Sequence, residues 1–286
     1  MSFLTDRTQS TTINGVSSLI ARITQSIIQG SVIGPNMFVA YIADLKAIGK
    51  TNHLCKYADD CTLLVPELCD VSLSEELEHI KKWCELNKLL LNLIKTIELI
   101  FRRPNINLEI LPDCIYGINR VYCAKLLGVL IDDKLCFSQH VDYLIKICSQ
   151  RFYLLQQMKK QGLSNECITI VFTAIVLSKL LYALPAWGGY ISREQVNRVE
   201  AVLNKSVRWG LTNSRHNFDD MLSDADAHLF AKCLFSNHCL NTMIDCPTES
   251  SSQMVLRSRG HSFLLPKFKY ERTRKSFVMR ALYNFK

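Results

Sequence analysis

Apolar residues in the first hundred positions recur with two different periods. Behind the Gly34-Pro35 break they follow helical spacing, at Phe38, Tyr41, Ile42, Leu45 and Ile48. This spacing predicts a helix that begins just after the break. The next stretch alternates with the period of a strand and predicts two short strands, at about 53–57 and 61–65, joined by a tight Ala-Asp-Asp turn. Such a turn exposes the carboxylates of Asp59 and Asp60 at the tip of a hairpin.

The middle of the chain returns to a helical pattern and then to strands. Ser72 and Glu75 form a capping box in front of an apolar stripe at Leu73, Leu77, Ile80 and Cys84. The stripe predicts a helix that continues to about Leu90. Strand-like runs follow at 96–101, 106–111 and 125–132. Helices and strands in this order indicate an α+β fold.

Residues beyond 140 are helical in pattern. The first predicted helix carries Val141, Leu144, Ile145, Cys148, Phe152 and Leu155. A second spans about 166–184 and ends before Pro185, and a third begins at the capping pair Ser192 and Gln195. From Thr212 to Ser252 the sequence turns polar and uneven, which predicts a boundary near residue 211.

The positive charge of the chain is concentrated at one end. The chain has 286 residues, 48% of them hydrophobic, and a net charge of +8. That length and composition can bury a sizeable core. The segment 257–286 holds nine Lys or Arg residues against Glu271 alone, so it carries the whole excess. Local basicity of this kind indicates a solvated surface or one that faces a polyanion.

Within this basic tail, cations alternate with aromatic residues. The predicted nucleic-acid contacts are Lys267, Lys269, Arg272, Arg274 and Lys275, and the interleaved aromatics are Phe263, Phe268 and Tyr270. Cations can meet phosphates while aromatic rings stack on bases. The alternative is that the aromatics belong to the core and the cations only solvate the outer face.

Cysteine usage and the hydrophobic profile favour an intracellular protein that is not secreted. The 12 cysteines are scattered without a Cys-x-x-Cys motif, and the N-terminus lacks the pattern of a secretory signal. Cys233, His238, Cys239 and Cys246 match no common zinc spacing, so core packing is predicted for them. The most apolar run, 167–177, is 11 residues long and too short to span a bilayer, which predicts a buried helix and no membrane partner.

Two adjacent carboxylates at a hairpin tip suit phosphoryl transfer. That reaction needs two divalent ions about 3.5 to 4 Å apart, and Mg²⁺ binds a few carboxylates while its other positions take phosphates and water. Adjacent aspartates in a straight strand face opposite sides, whereas at a tip they can converge. An Asp-Asp pair is also good turn chemistry, so the pair alone leaves both interpretations open.

The loop before the first predicted helix adds a second candidate feature. Gly30 permits close approach of the backbone to a substrate, while Gln29 and Ser31 offer hydrogen bonds. Taken alone, this segment is also only a loop.

Taken together, the two features resemble a known family. "QGSVIGPNMFVAYIADL" followed by "YADD" resembles the palm of reverse transcriptases of non-LTR (LINE-type) retrotransposons. "WCELNKLLLNLIKTIELIF" and "LLGVLIDDKLCFSQHV" are similar to segments that follow in that family. The opening "FLTDRTQ" and the later "LLYALPAWG" and "RSRGHSFLLPKFKYERTRKSF" look like its connecting segments, so the resemblance covers nearly the whole chain.

The resemblance implies a fold, a reaction and its substrates. Residues 1–140 would be a partial palm, 141–211 a helical thumb, and 212–286 a mostly helical C-terminal region with the basic tail. The reaction would be RNA-directed DNA synthesis on an RNA template, from a DNA primer and dNTPs, with two Mg²⁺ ions.

The resemblance also implies roles for individual residues. Asp59 would be the principal metal-binding carboxylate, Asp60 its catalytic neighbour, Lys95 a group near the triphosphate, and Tyr57 a residue packed near the primer terminus. Gln29, Gly30 and Ser31 would help to place template and nucleotide, and Leu127 and Gly128 would belong to the primer grip.

Each of the less specific roles has a structural alternative. Lys95 could be a solvated lysine before a strand, Leu127 and Gly128 could be core and turn, and Tyr57 could be a packed strand aromatic. His140 is interpreted as a helix-start residue, and Trp83 is predicted to pack beneath the sheet.

One expected part of the site is not matched in the sequence. The family uses a further Asp on a palm strand several dozen residues before the Gln-Gly-Ser loop, whereas 28 residues precede Gln29 here. Asp6 and Asp44 do not fit that position, and Ile28 stands where the family usually has Pro. We therefore expect a catalytically incomplete fragment of a reverse transcriptase. The alternatives are a non-catalytic nucleic-acid-binding remnant that uses the thumb and tail, and a protein-interaction domain that keeps only the fold.

Overall fold

The described part of the chain combines helices with two-stranded sheets. The computed structural model describes residues 6–23, 30–102, 111–244, 263 and 265–285. It divides into two compact units, Met1–Lys95 and Thr96–Lys286. The mixed helix-and-strand composition agrees with the predicted α+β class. The domain boundaries suggested after residues 140 and 211 remain predictions.

The N-terminal unit begins with two small antiparallel sheets. Strand β1 (Arg7–Gln9) pairs with β4 (Ala21–Ile23), and β2 (Thr12–Ile13) pairs with β3 (Val16–Ser17). Asn14 and Gly15 join β2 to β3 with φ values of 52° and 80°. Positive φ at both central residues is the type I′ pattern that the Asn-Gly dipeptide favours, which makes this hairpin a local product of the sequence.

Helix α1 (Gly34–Tyr41) starts at the predicted break, with Pro35 in its first turn. It ends earlier than the apolar spacing predicts, although Ile42 and Leu45 are buried. Lys56 explains the early end, because its ammonium group donates hydrogen bonds to the carbonyl oxygens of residues 42, 43 and 45, which a longer helix would have bonded internally.

The predicted hairpin and capped helix of this unit are confirmed, although the helix ends at Leu86 and not at about Leu90. Strands β5 (His53–Tyr57) and β6 (Asp60–Leu64) are antiparallel, and α2 (Leu73–Leu86) begins at a capping box of Ser72 and Glu75. The buried cluster under them consists of Leu45, Ile80 and Cys84, with Leu54, Leu63, Trp83, Leu89 and Leu91 packed against it. The predicted packing of Trp83 beneath the sheet is thereby confirmed.

Strands in the C-terminal unit are shorter than their sequence predicts. Strand β7 (Ile97–Glu98) pairs in parallel with β8 (Asn119–Arg120), and β9 (Cys123–Leu126) pairs with β10 (Val129–Asp132). The prediction of one continuous strand over 125–132 is wrong, because two residues with positive φ fold that run into a hairpin. Most of the run predicted at 106–111 lies outside the described residues.

Helices form the main core of the C-terminal unit, as predicted beyond residue 140. In chain order they are α3 (Ser138–Lys160), α4 (Asn165–Phe172), a π-helical turn (Thr173–Leu177), α5 (Ser178–Leu181), α6 (Leu184–Trp187), α7 (Arg193–Arg208) and α8 (Phe218–Cys233). Their facing sides bury one continuous apolar cluster that includes Phe152, Phe172 and Trp187. The capping box at Ser192 and Gln195 is confirmed.

The helical stretch 165–187 is long and apolar enough, by length and composition, to cross a membrane. In the structure it is interrupted at Tyr182 and Ala183, where ψ of the first is 121° and φ of the second is 51°. One face packs into the core, whereas Ile170 on another face is 67% exposed. The predicted buried helix over 167–177 is therefore confirmed for that one face.

The end of the chain folds back on α8. A 3-10 turn (Asn241–Met243), α9 (Glu271–Arg274) and α10 (Phe277–Asn284) complete the described elements. Ala281 and Leu282 join a second apolar cluster with Phe230 and Cys233. Arg280 binds the buried carboxylate of Asp226 through two hydrogen bonds of 2.8 Å, which fixes α10 to α8.

Candidate active site

The Asp-Asp pair lies where the sequence places it, at the tip of the β5–β6 hairpin. Tyr57 and Asp60 form the last pair of the ladder, and Ala58 and Asp59 make the turn between them. Ala58 has φ of 51°, whereas Asp59 has a negative φ. A positive φ at the first central residue is the pattern of a type II′ turn, which normally takes glycine there. The tip therefore holds a strained alanine directly beside the candidate metal ligand.

Both carboxylates at the tip are open to solvent. No side chain or backbone group in the described part of the chain forms a hydrogen bond or ion pair with the carboxylate of Asp59 or Asp60. Burial raises the pKa of the Cys61 thiol against the lowering effect of Lys56, with smaller raising contributions from Cys84, Asp60 and Asp59. The tip therefore presents two carboxylates with unoccupied oxygen atoms, which is the donor chemistry that Mg²⁺ prefers.

The two faces of the hairpin differ in exposure. Leu54 and Leu63 are opposite each other and pack on the core of the unit. Tyr57 lies on the other face and is 67% exposed. The structural alternative for this residue, a packed strand aromatic, is therefore not what the structure shows, and the ring is free to meet a ligand beside Asp60.

Lys56 connects the hairpin to the end of α1. Its ammonium group donates to the carbonyl oxygens of Ile42 at 2.6 Å, Ala43 at 3.1 Å and Leu45 at 2.9 Å. Sequence reasoning missed this positioning residue. The available signal was a lysine at a strand position of the same parity as Leu54, on the face that packs inward.

The described residues include the Gly-Ser loop from Gly30 onward. Gln29 lies outside the described residues. Gly30 adopts φ of 82°, and a Cβ there would meet nothing within 4 Å, so the observed conformation, and not crowding, is what requires glycine. Ser31 Oγ accepts from the amide of Gly34 at 3.1 Å, which holds the loop against the start of α1.

Lys95 lies at the end of the N-terminal unit. Its amide donates to the side-chain and main-chain oxygens of Asn92, at 3.2 and 3.1 Å, within a turn. The side chain is exposed and forms no ion pair with any described residue. Both the predicted triphosphate contact and its alternative, a solvated lysine before a strand, require this exposure.

Leu127 and Gly128 form the turn of the β9–β10 hairpin. Their φ values of 45° and 90° are the pattern of a type I′ turn. The Tyr182 hydroxyl donates to the Leu127 carbonyl at 2.7 Å, and a Cβ at position 128 would lie 3.3 Å from the Tyr182 ring. Leu127 is 42% exposed, so this part of the predicted primer grip is a surface turn tied to the helices by one tyrosine.

His140 is buried, in keeping with its interpretation as a residue at the start of a helix. Its Nδ1 accepts from the Leu130 amide at 3.3 Å, and burial together with Lys179 lowers its pKa to about 4. The described residues contain no group of three or more His, Cys, Asp or Glu side chains placed to hold a metal ion. The predicted core packing of this group is confirmed for Cys233 and wrong for Cys239, which is exposed, while Cys246 lies outside the described part.

The basic tail separates its cations from most of its aromatics. Lys267, Lys269 and Arg274 are exposed, while Arg272 and Lys275 are half-buried. Phe263 packs on Phe230 at 6.2 Å and Phe268 on Tyr283 at 5.7 Å, between ring centroids. Tyr270 is 43% exposed and carries the Lys269 ammonium 5.6 Å from its ring. Phe263, which packs against the second apolar cluster, therefore follows the alternative of core packing, whereas Phe268 is half-buried against Tyr283 outside that cluster.

The comparisons with known proteins agree with the motifs. The chain is 27% identical over 222 residues to a probable RNA-directed DNA polymerase from transposon BS of Drosophila melanogaster, covering 72% of this chain and 24% of that protein. It is 26% identical over 228 residues to the RNA-directed DNA polymerase from mobile element jockey of Drosophila funebris, with the same two coverages. A probable polymerase from transposon X-element of Drosophila melanogaster is 26% identical over 198 residues, 63% of this chain and 21% of that protein.

The chain thus spans about a quarter of the length of the curated relatives it matches. No model of a protein family matches the chain, and no solved structure does. The curated matches nevertheless cover most of the chain and share one printed activity. In sequence, the chain is therefore similar to RNA-directed DNA polymerases of Drosophila non-LTR retrotransposons, which is the resemblance that its motifs indicated.

Proposed function

We propose that the chain is a segment of the RNA-directed DNA polymerase of a non-LTR retrotransposon, and that the β5–β6 hairpin supplies part of its metal site. The observation that carries this proposal is the pair of exposed, unpaired carboxylates at the tip of a Tyr-Ala-Asp-Asp hairpin. In this assignment, residues 1–140 are part of the palm, 141–211 the thumb, and 212–286 the region that bears the basic tail.

Two Mg²⁺ ions would activate the primer hydroxyl and neutralise the leaving pyrophosphate. Asp59 and Asp60 would hold them through oxygen atoms that no described group occupies. Tyr57 would place its exposed ring beside the primer terminus, and Lys95 would meet the triphosphate of the incoming dNTP. Gln29, Gly30 and Ser31 would position the RNA template and the nucleotide, with Leu127 and Gly128 on the DNA primer.

The family that the motifs resemble completes its metal site with a further aspartate. We therefore propose that Asp59 and Asp60 act together with an aspartate from another part of the polymerase, and that the chain by itself is catalytically incomplete. The free thiols among the described cysteines fit our proposal that the protein works inside the cell.

A second candidate function is nucleic-acid binding without catalysis. The outward cations at Lys267, Lys269 and Arg274 favour it. Removing the whole tail cannot test this candidate, because Ala281 and Leu282 are buried in the second apolar cluster. The double variant Lys267→Gln/Lys269→Gln keeps that cluster, and it should flatten the slope of log affinity against log salt by about 1.4 if both lysines contact phosphates.

A primer-extension assay tests the proposed function. The chain would be assayed alone and joined to the segment that precedes the matched region in the transposon BS relative, on an RNA template with Mg²⁺ or Mn²⁺. We expect no extension by the chain alone and extension by the joined protein. Asp59→Asn should abolish that extension, whereas Asp44→Asn, which changes an exposed carboxylate bonded to Trp83, should keep it.

Two outcomes would contradict this assignment. Extension by the chain alone that Asp59→Asn abolishes would show a complete site in this chain. A folded joined protein that binds primer and template but extends none of it would favour the second candidate function over the first.

A further inference from the structure

A surface cavity lies where α9 meets α10 in the C-terminal unit. Its volume is about 480 Å³, and its lining includes Phe268, Glu271, Arg274, Lys275, Met279 and Tyr283. A smaller cavity of about 240 Å³ adjoins it, because Glu271 and Lys275 line both. The two cavities together are called the α9–α10 groove below.

The larger cavity has an apolar floor. Phe268 meets Tyr283 edge to face, with 5.7 Å between the ring centroids. Met279 lines the same cavity, is half-buried on α10, and belongs to none of the apolar clusters formed by the described residues. Cavities of a few hundred Å³ are large enough for a ligand group. This one therefore has room for a large apolar side chain from a partner.

The rim of the α9–α10 groove is cationic. Arg272 and Lys275 form no ion pair with any carboxylate that the structure describes, and Arg274 is exposed. Its partner Glu271 lies 3.7 Å away in an exposed pair, which is a weak contact. Segment 257–286 carries the whole net charge of +8, and the rest of the chain sums to zero. A negatively charged segment from elsewhere would complement this rim.

Packed elements hold the groove in shape. Arg280 fixes α10 to α8 through the buried carboxylate of Asp226, and Ala281 is fully buried. The Tyr283 hydroxyl donates to the carbonyl oxygen of Pro266 at 3.0 Å, which ties the segment before α9 to α10. A site that is already formed loses less entropy when a ligand binds.

We propose that the α9–α10 groove binds an acidic peptide segment of another protein, anchored by one aromatic or large aliphatic side chain. The anchor enters the larger cavity against Phe268 and Met279, and carboxylates on both sides of it meet Arg274 and Lys275. Glu271 favours a peptide over a nucleic-acid strand, because a peptide backbone has N–H groups that donate to a carboxylate, whereas a phosphodiester backbone has only acceptors. The inference goes beyond the proposed function, since the hairpin carboxylates take no part in it.

Binding of labelled peptides to the purified chain, measured by fluorescence anisotropy, tests the groove. The probe is a short peptide in which one Phe lies between runs of Glu and Asp. A peptide with Ala in place of Phe should bind roughly tenfold more weakly, because the apolar contact is lost. A peptide with Gln and Asn in place of the acidic residues should also bind more weakly, and its binding should respond less to salt.

Variants of the chain locate the binding site. Arg274→Gln/Lys275→Gln should bind the Phe peptide roughly threefold to tenfold more weakly. Met279→Glu, which places a negative charge in the floor, should bind it roughly tenfold or more weakly, whereas Met279→Leu should bind it as well as the unchanged chain does. The matched control Lys160→Gln/Lys232→Gln removes two exposed lysines from α3 and α8 and should have no effect. Thermal unfolding shows whether each variant remains folded.

Two unlabelled competitors separate the peptide from other occupants. Single-stranded RNA of the same net charge should displace the Phe peptide poorly. If it displaces the peptide as well as unlabelled peptide does, the ligand is a strand and the inference is wrong. A peptide of residues 245–262, which has two acidic residues and two arginines, should also compete poorly. Equal competition by that peptide would make the occupant a segment of the chain itself.

Three further results would overturn the inference. They are the absence of binding of the Phe peptide at low salt, equal binding of the Phe and Ala peptides, and unchanged binding by the folded Arg274→Gln/Lys275→Gln variant. None of them alters primer extension by the joined protein. Failure of the groove and failure of the proposed function are therefore measured separately.

Discussion

Each of the two units of this chain is stabilised by a different kind of interaction. The C-terminal unit buries a continuous apolar cluster from β10 and α3 to α8, with residues such as Phe172 and Trp187 fully enclosed. The N-terminal unit, which carries the Asp-Asp hairpin, has a buried apolar cluster of only Leu45, Ile80 and Cys84 among its described residues.

Hydrogen bonds to carboxylates contribute much of the stability of the N-terminal unit. The buried carboxylate of Glu76 accepts from the amides of Ile48 and Gly49 and from Asn52 Nδ2, at 3.0, 2.7 and 2.9 Å. The carboxylate of Asp70 accepts from the amides of Lys50 and Thr51 and from the Thr51 hydroxyl. The unit that carries the candidate chemistry should therefore be more sensitive to polar substitution, and the helical unit more sensitive to cavities.

The largest expected effect is a cavity in the C-terminal unit. Phe172→Ala should lower the free energy of unfolding of this unit by about 3 to 5 kcal/mol, because a fully buried ring is lost. Hydrogen exchange measured by mass spectrometry separates the amides of the two units. Ile170→Ala, on the same helix but 67% exposed, should change stability by less than about 0.5 kcal/mol. Equal losses for the two variants would contradict the described core.

A smaller effect is expected from a buried polar group in the N-terminal unit. Glu76→Gln replaces one accepting carboxylate oxygen by an NH2 group, which cannot accept from a backbone amide. A buried amide of the 48–52 loop then loses its partner, which should cost about 1 to 3 kcal/mol of stability. Faster exchange in that loop and a change in Trp83 fluorescence would report the loss. Glu78→Gln, on the exposed face of α2, should have almost no effect on stability. A loss as large as that of Glu76→Gln would contradict the conclusion that buried polar groups stabilise the N-terminal unit.

Each unit has a hairpin turn in which a residue other than glycine has a positive φ, so the same kind of backbone strain can be compared in both. Ala58 and Leu127 have φ of 51° and 45°, so Ala58→Gly and Leu127→Gly should each raise the melting temperature, with a net gain of about 0.5 to 1 kcal/mol after the entropy of the unfolded glycine is counted. Ala40→Gly, within α1, should instead lose about 1 kcal/mol. A loss at both turns would show that their backbone is not strained.

The smallest expected effect is a loss of local stability at low pH. Hydrogen bonds from the Lys50 amide and from Thr51 lower the pKa of Asp70 to about 2. A carboxyl whose folded pKa is depressed contributes stability above its unfolded pKa and loses that contribution as the pH falls toward the folded value. The 48–52 loop should therefore open between about pH 5 and pH 2, as measured by hydrogen exchange. Asp70→Asn should reduce this pH dependence to the part contributed by Glu76, whose carboxylate binds amides of the same loop. An unchanged dependence in that variant would show that Asp70 does not cause it.

Local signals in the sequence were sufficient for several elements. The capping boxes at Ser72 and Ser192 and the β5–β6 hairpin form where the sequence predicts them, because caps and alternating strands depend on neighbours within a few residues. The run 125–132 was predicted wrongly as one strand, because a Leu-Gly turn between apolar residues has no polar signal. Helix α1 ends early because Lys56, a residue distant in sequence, donates hydrogen bonds to the carbonyl oxygens that follow it.

The sequence by itself determined the similarity to a group of polymerases and the position of the Asp-Asp pair, because both depend on residue types at fixed spacing. Only the tertiary structure decided that Tyr57 is exposed, that Phe263 packs against the core, and that Lys125 and Lys179 share the ring of Tyr143. The physical reason is that exposure and charge proximity depend on which elements pack together. A spacing pattern shows which residues can share a face of one element, whereas the contacts that Lys125 and Lys179 each make with the ring of Tyr143 exist only once helix and hairpin are assembled.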